Sequence, residues 1–244
     1  MSTGNGRIFE YFHGGELFEG YVVEPDVSLG GQRPCVLVLH DWSGVNSGMH
    51  EVAERVAGLG YVAFAADVYG KGRRGGETDD NSSLMNPLVG DRALLRQRLL
   101  ASLRAACQHP RVDGDRIAAV GYCFGGLCAL DLARAVPAGL RGVVSVHGVL
   151  APPQLGPQAD IQASILLLHG WEDPFAPPAH IETFAREFTD AKADWQVHAY
   201  GHAMHAFSFE RAAKPEQGIA YDAAAARRSW QAMQDFFGEI FAGS

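Results

Sequence analysis

Gly121-Tyr122-Cys123-Phe124-Gly125-Gly126 follows one apolar run, Ile117 to Val120, and opens another with helical character, Leu127 to Ala135. Together the three pieces read as a strand, a sharp turn and a helix. The spacing has a steric cause. A residue at the apex of such a turn needs flanking glycines wherever a side chain would collide with the adjoining strand or helix. The apex side chain is then pushed out above the sheet, and here it is a cysteine where serine is usual. The N–H of Phe124 and the first helical turn face the sulfur, and their partial positive charge favours thiolate over thiol. The plainer alternative is a buried core cysteine, because free cysteines are often buried and glycine-rich strand-to-helix turns occur throughout doubly wound folds. A nucleophile needs a base, and the base an orienting acid, so the rest of the chain separates the two readings.

Outward from the turn the strand-helix alternation repeats. Cys35 to Leu39, Tyr61 to Ala66, Arg116 to Val120, Gly142 to Val146, Ile165 to Leu168 and Trp195 to Tyr200 read as strands buried on both faces or nearly so. Helical patterns cover Met49 to Leu59, Asp91 to Gln108, Leu127 to Val136, Ala179 to Asp190 and Tyr221 to Phe241. This predicts an α/β fold, a mostly parallel sheet with helices on both faces. Alternating residues from Arg7 to Tyr11 and Leu17 to Val23, around His13-Gly14-Gly15, predict an antiparallel N-terminal hairpin at the sheet's edge. Lys71 to Asn86 is too short for a linker and reads as a loop over the carboxyl ends of the strands, where such folds place their sites. A chain of 244 residues, 47% of them hydrophobic, suits one large α/β domain over 1–244.

A net charge of -8, with no basic cluster beyond Lys71, Arg73 and Arg74, argues against nucleic acid as a partner. The start lacks an apolar signal core and no run is long enough to span a bilayer, so a cytoplasmic location with no membrane partner is expected. Cys35, Cys107, Cys123 and Cys128 have neither CxxC pairing nor zinc spacing. Reduced thiols and no structural metal are expected. Whether the chain is a monomer or a dimer is left open.

Two further stretches carry chemistry. In His169-Gly170-Trp171-Glu172-Asp173-Pro174 an acid stands just past a buried strand, at the same sheet edge as the cysteine turn. Asp173 is the favoured orienting carboxylate, with Glu172 the alternative; the plainer role for Asp173 is a cap on the helix starting near Pro177. After the last strand, Tyr200-Gly201-His202-Ala203-Met204-His205-Ala206-Phe207 offers two histidines. His205 is the favoured base because it lies farther out and Ala206-Phe207 can pack beneath it; His202 reads as solvated or supporting. The order nucleophile, acid, histidine is that of the α/β-hydrolase class. An oxyanion hole also needs a second backbone donor, and the turn His40-Asp41-Trp42-Ser43-Gly44 offers the N–H of Trp42 to pair with that of Phe124. His40 and Asp41 are too close in sequence to converge readily on one metal ion.

At these residues the chain resembles the dienelactone hydrolase family of α/β-hydrolases over nearly its whole length. The resemblance rests on Glu19-Gly20-Tyr21, the turn from His40 to Asn46, Asp67-Val68-Tyr69, Gly121 to Gly126, His169-Gly170 with Asp173, and His205-Ala206-Phe207. It implies an α/β-hydrolase fold and a Cys123, Asp173, His205 triad acting on a small-molecule ester or lactone without a cofactor. Two positions depart from the family's pattern. Asp41 stands where the family commonly has a glutamate that pairs with the resting nucleophile, and it is shorter by about 1.5 Å of reach. Phe209 stands where archetypal members carry an arginine that grips a substrate carboxylate. Arg74, or its neighbours Lys71 and Arg73, is the candidate for a remaining anion contact, and Tyr122, Trp171 and Phe209 for apolar contacts; a solvated basic loop and ordinary core are their plainer readings. The expected activity is carboxylic ester or lactone hydrolysis. A thiol acyltransferase or amidase would keep the same triad, and a non-catalytic thiol sensor or binding protein would keep only the fold.

Overall fold

Strands that are apolar on both faces need cover on both, and the computed structural model, which describes residues 6–26, 30–76 and 79–242, supplies it around one eight-stranded sheet. The strands are β1 (Arg7–His13), β2 (Glu16–Val23), β3 (Arg33–Leu39), β4 (Val62–Ala66), β5 (Val112–Tyr122), β6 (Leu140–Val146), β7 (Ser164–Gly170) and β8 (Trp195–Tyr200). Their order is β1-β2-β4-β3-β5-β6-β7-β8. The β1–β2 hairpin is antiparallel and β2 joins β4 antiparallel; every later pairing is parallel. The mostly parallel sheet with an antiparallel N-terminal hairpin is therefore present.

Helices α1 (Ser47–Ala57), α2 (Ser82–Gly90), α3 (Arg92–Cys107), α4 (Phe124–Arg134), α5 (Pro178–Asp190) and α6 (Ala223–Ala242) cover the two faces. Side chains alternate along a strand, so β3 sends Cys35, Leu37 and Leu39 to one face and Val36 and Val38 to the other. The first set packs with Leu95 and Leu99 of α3, Leu127 and Leu130 of α4, and Phe184 and Phe188 of α5. The second packs with Met49 and Val56 of α1 and Met233, Phe236 and Phe237 of α6. Each such side chain contributes roughly 1.5–3 kcal/mol when fully buried. Every residue of α4 is buried, so its charges have to be paired inside the fold. Asp131 accepts bonds from Arg92 Nε at 2.7 Å and Nη2 at 2.6 Å, and Arg134 binds Glu187 of α5 at 2.7 and 2.9 Å. These pairs fix α4, whose first residue follows Cys123.

Three local expectations are corrected. The loop expected over Lys71 to Asn86 ends in α2, a helix with Pro87 inside it. Asn86, Pro87 and Gly90 read as breakers, but Leu88 is buried and Leu84 and Met85 pack on the core, and that contact outweighs propensity. Strand β5 begins at Val112, which pairs with Arg33, but the turn-like Asp113-Gly114-Asp115 falls in an irregularity of the ladder, and pairing resumes at Ile117 with Cys35 and Leu140. Strand β8 is an edge strand and half exposed rather than buried on both faces. After it, β9 (Ala213–Lys214) and β10 (Ile219–Ala220) form a short hairpin that periodicity could not reveal. Among the described residues no helix is long and apolar enough to cross a membrane.

Candidate active site

Strand β5 ends at Tyr122 and α4 begins at Phe124, which leaves Cys123 alone at the apex with φ 56° and ψ −115°. A non-glycine residue held there stores on the order of 1–3 kcal/mol, and persists only because its surroundings over-determine it. Those surroundings are backbone. A Cβ on Gly121 would fall on the Gly125 carbonyl, and one on Gly125 would lie 2.7 Å from the His40 carbonyl oxygen. The Cys123 N–H donates to the Val146 carbonyl at 3.1 Å, tying the apex to β6. The thiol is half-buried rather than sealed in the core.

Asp173 comes to it from the loop after β7 and His205 from the loop after β8. His205 Nε2 lies 3.1 Å from Cys123 Sγ, and its Nδ1–H donates to Asp173 Oδ2 at 2.8 Å. Asp173 Oδ1 accepts the Phe175 N–H at 2.8 Å, so both carboxylate oxygens are engaged. Helix α5 starts after Pro177 with no side-chain cap, and Asp173 therefore does not serve as its cap. The backbone of His205 is strapped on both sides: its N–H donates to the Gly218 carbonyl and its carbonyl accepts from Ala220. The alternatives Glu172 and His202 instead pair with each other at the surface, at 2.8 Å, with the His202 side chain 94% exposed. His202→Ala is accordingly expected to change kcat/KM on an aryl ester by less than about twofold, as exposed pairs contribute little; a severe loss in that assay would transfer the base role to His202.

Burial by itself would lower the pKa of His205, but the negative Cys123 and Asp173 beside it outweigh burial and raise it to about 10. The ring beside it behaves oppositely. His147, at the end of β6, is fully buried, and burial followed by the charge of His205 holds its pKa well below the ordinary value. It stands edge-on to His205 with centroids 5.3 Å apart, and its Nε2 bonds Ser208 Oγ at 2.8 Å. Phe175 packs edge-on against His205 at 4.9 Å. Neither His147 nor Ser208 stood out in the sequence. The available signal was position, since His147 directly follows a central parallel strand.

Trp42 lies in the turn after β3, the strand paired with β5, and Phe124 is the first residue of α4, directly after the apex. Asp41 is buried, and its Oδ1 accepts the Ser43 N–H at 2.8 Å and the Ser43 hydroxyl. Its Oδ2 faces Arg211 at 3.8 Å, so one carboxylate oxygen is engaged within its own turn and the other by a cation from the loop after β8. His40 donates from Nδ1 to the Asp41 carbonyl at 2.6 Å and accepts the Val68 N–H at Nε2 at 3.4 Å, so both ring nitrogens are engaged. Among the described residues no group of three or more metal-ligating side chains converges.

The candidate substrate contacts scatter. Arg74 is held by Glu19 at 2.7 Å, and the neighbouring Arg73 by Glu16 at 2.8 Å, so hairpin glutamates take up the basic loop's charge. Tyr122 is buried against Phe209 and belongs to the core on the α6 side. Phe209 is half-buried under the Arg211 guanidinium. Trp171 is exposed on the Asp173 loop.

Comparison with known proteins agrees with this architecture. The sequence profile of the Dienelactone hydrolase family matches residues 18–241. A Yersinia pestis protein named as a candidate carboxymethylenebutenolidase is 30% identical over 236 residues, covering 91% of this chain and 84% of that one. The crystal structure of a dienelactone hydrolase-like promiscuous phosphotriesterase, P91, from metagenomic libraries superposes with a TM-score of 0.91 at 38% identity, covering 97% of this chain and 98% of that one. A candidate dienelactone hydrolase of Klebsiella pneumoniae superposes with a TM-score of 0.79 at 25% identity over 97% of this chain and 99% of its own. With the α/β-hydrolase sheet, the elbow after β5 and this match over most of its length, the chain belongs to the dienelactone hydrolase family.

Proposed function

We propose that this hydrolase cleaves carboxylic esters or lactones through an acyl-thioester on Cys123, with His205 as base and acid and Asp173 as its orienting carboxylate. The observation that supports it most is the unbroken chain from Sγ to Nε2 at 3.1 Å and from Nδ1 to Oδ2 at 2.8 Å, with the sulfur at a strained apex. The thiol proton passes to Nε2 and the thiolate attacks the carbonyl carbon. The resulting oxyanion takes the N–H groups of Phe124 and Trp42, each such donor being worth roughly 3–4 kcal/mol in the transition state. The tetrahedral adduct collapses, and the His205 imidazolium gives its proton to the departing alkoxide. His205 then takes a proton from water, whose oxygen attacks the thioester, and the acid and the thiol are released.

Iodoacetamide tests this directly. Hydrolysis of a p-nitrophenyl ester is expected to fall in proportion to carboxamidomethylation of Cys123 followed by mass spectrometry, and turnover that survived complete Cys123 alkylation would overturn the reading. The pH profile offers a second check. A raised His205 pKa means that the pair keeps its proton from neutral pH up to about 10 and loses it above. Hydrolysis corrected for the spontaneous rate should therefore decline on the alkaline side near pH 10. In Asp173→Asn that limb should move down, because one of the groups holding the proton is gone.

A second reading is supported by the P91 relative, described as a promiscuous phosphotriesterase. The same thiolate would attack the phosphorus of a neutral aryl phosphotriester and expel the aryl oxide. Release of p-nitrophenol from its diethyl phosphate, abolished by Cys123→Ala, is the expected result. Acyl transfer would show instead as partitioning of the acyl group to added alcohols, and a thiol sensor would release no product from any ester.

A further inference from the structure

The motif Asp67-Val68-Tyr69 after β4 has no part in the proton chemistry above, yet its tyrosine contacts both residues whose N–H groups form the proposed oxyanion hole. The Tyr69 hydroxyl donates to the Trp42 carbonyl at 3.1 Å, and its ring stacks on Phe124 with centroids 5.8 Å apart and planes 18° from parallel. The two donors come from turns far apart in the sequence that follow the neighbouring strands β3 and β5. Resting on the function proposed above, we infer that Tyr69 is a positioning residue that fixes the distance and direction of the Trp42 and Phe124 N–H groups toward the developing oxyanion.

Peptide geometry shows how. In a trans peptide the C=O and N–H point opposite ways, so pinning one aims the other. The Trp42 N–H shares its peptide with the Asp41 carbonyl, which accepts His40 Nδ1–H at 2.6 Å, and the Tyr69 ring packs on His40 at 4.6 Å. The next peptide is held at both ends, its carbonyl by Tyr69 and the Ser43 N–H by Asp41 Oδ1 at 2.8 Å. Tyr69 therefore bears on both peptide planes that meet at Trp42, directly on one and through His40 on the other. It is itself anchored: Asp67 Oδ1 accepts the N–H groups of Tyr69 and Gly70 at 2.8 and 3.0 Å, and Arg98 and Arg73 donate to the Tyr69 carbonyl at 3.1 Å. A buried hydroxyl contributes only if its bond is made, whereas phenylalanine would fill the same space with no such requirement. Burial pushes the phenol's pKa far above its ordinary value, so the hydroxyl keeps its proton. That proton is given to Trp42 and not to the substrate, which makes Tyr69 a positioning group rather than a catalytic one.

Tyr69→Phe tests the inference, because acylation builds an oxyanion and alkylation by iodoacetamide does not. The expected result is a fall in kcat on the p-nitrophenyl ester on the order of ten- to a hundredfold, with KM within about twofold and an unchanged rate of Cys123 carboxamidomethylation. Unchanged kcat would overturn the inference. So would a parallel fall in alkylation rate, which would mean that the nucleophile and its base had been disturbed instead. Cys123→Ala, run beside it, separates the two levels: a Cys123→Ala protein that still turned over would remove the covalent reading itself, whereas an inactive one alongside a fully active Tyr69→Phe removes only this inference.

Discussion

Replacing Cys123 by alanine is expected to lower kcat on an activated aryl ester by on the order of 10⁴-fold or more, and His205→Ala by nearly as much. Neither loss should add to the other in the double variant. In the proposed mechanism nucleophile and base act as a unit: without the imidazole the thiol proton has no acceptor at 3.1 Å, and without the sulfur the imidazole has nothing to activate. Residual turnover would come from the oxyanion donors and from binding, which both variants retain. Cys123→Ser should also be poor, although the elbow would hold a serine in the same place, because a hydroxyl is much harder to deprotonate than a thiol near neutral pH. Additive losses in the double variant, measured by steady-state kinetics, would mean that the two side chains act in separate steps.

The largest effect on stability is expected from Gly121→Ala, one added methyl group. Its Cβ would fall on the carbonyl of Gly125, which belongs to the backbone of α4's first turn and has no rotamer by which to move aside. Relief requires the strand end and the helix start to separate, against the buried ion pairs that fix α4. A loss of about 3 kcal/mol or more is expected, at the upper end for overpacking. For a chain of this size that is a fall in Tm of roughly 6–12 °C, read by circular dichroism. An unchanged melting temperature would show that the elbow is looser than its dihedral angles and spacing imply. The same contact explains why position and reactivity are inseparable here: the glycines that let the turn close are the reason the sulfur stands clear of the sheet.

How much of this was legible in the chain differs from residue to residue. The elbow could be read from six letters because its requirements are local and steric. The acid and the histidine were each narrowed to two candidates, Asp173 or Glu172 and His205 or His202, because the class order of the triad specifies a loop rather than an atom. The structure divides these four into two pairs, one buried at the sulfur and one exposed. Helix α2 was missed because buried contacts of Leu84, Met85 and Leu88 override its breakers. The sequence offers Arg74 as a candidate anion contact, and only the facing hairpin shows that Glu19 occupies it. His147 carries no motif, and Asp67-Val68-Tyr69, although part of the family pattern, does not say which groups Tyr69 touches.

The sequence by itself determined the alternation of strands and helices, the turn that presents Cys123, and the order in which the remaining groups arrive. Each of these depends on residues a few positions apart, whose sterics and periodicity are present in any short window. Tertiary structure alone decided which imidazole meets the sulfur across 82 residues, which acid stands behind it across 32, and which side chains brace the turns from strands that lie side by side only after folding. Those choices depend on the stacking of parallel strands, where neighbours in space are separated along the chain by a whole helix and its loops, and no local pattern encodes that distance.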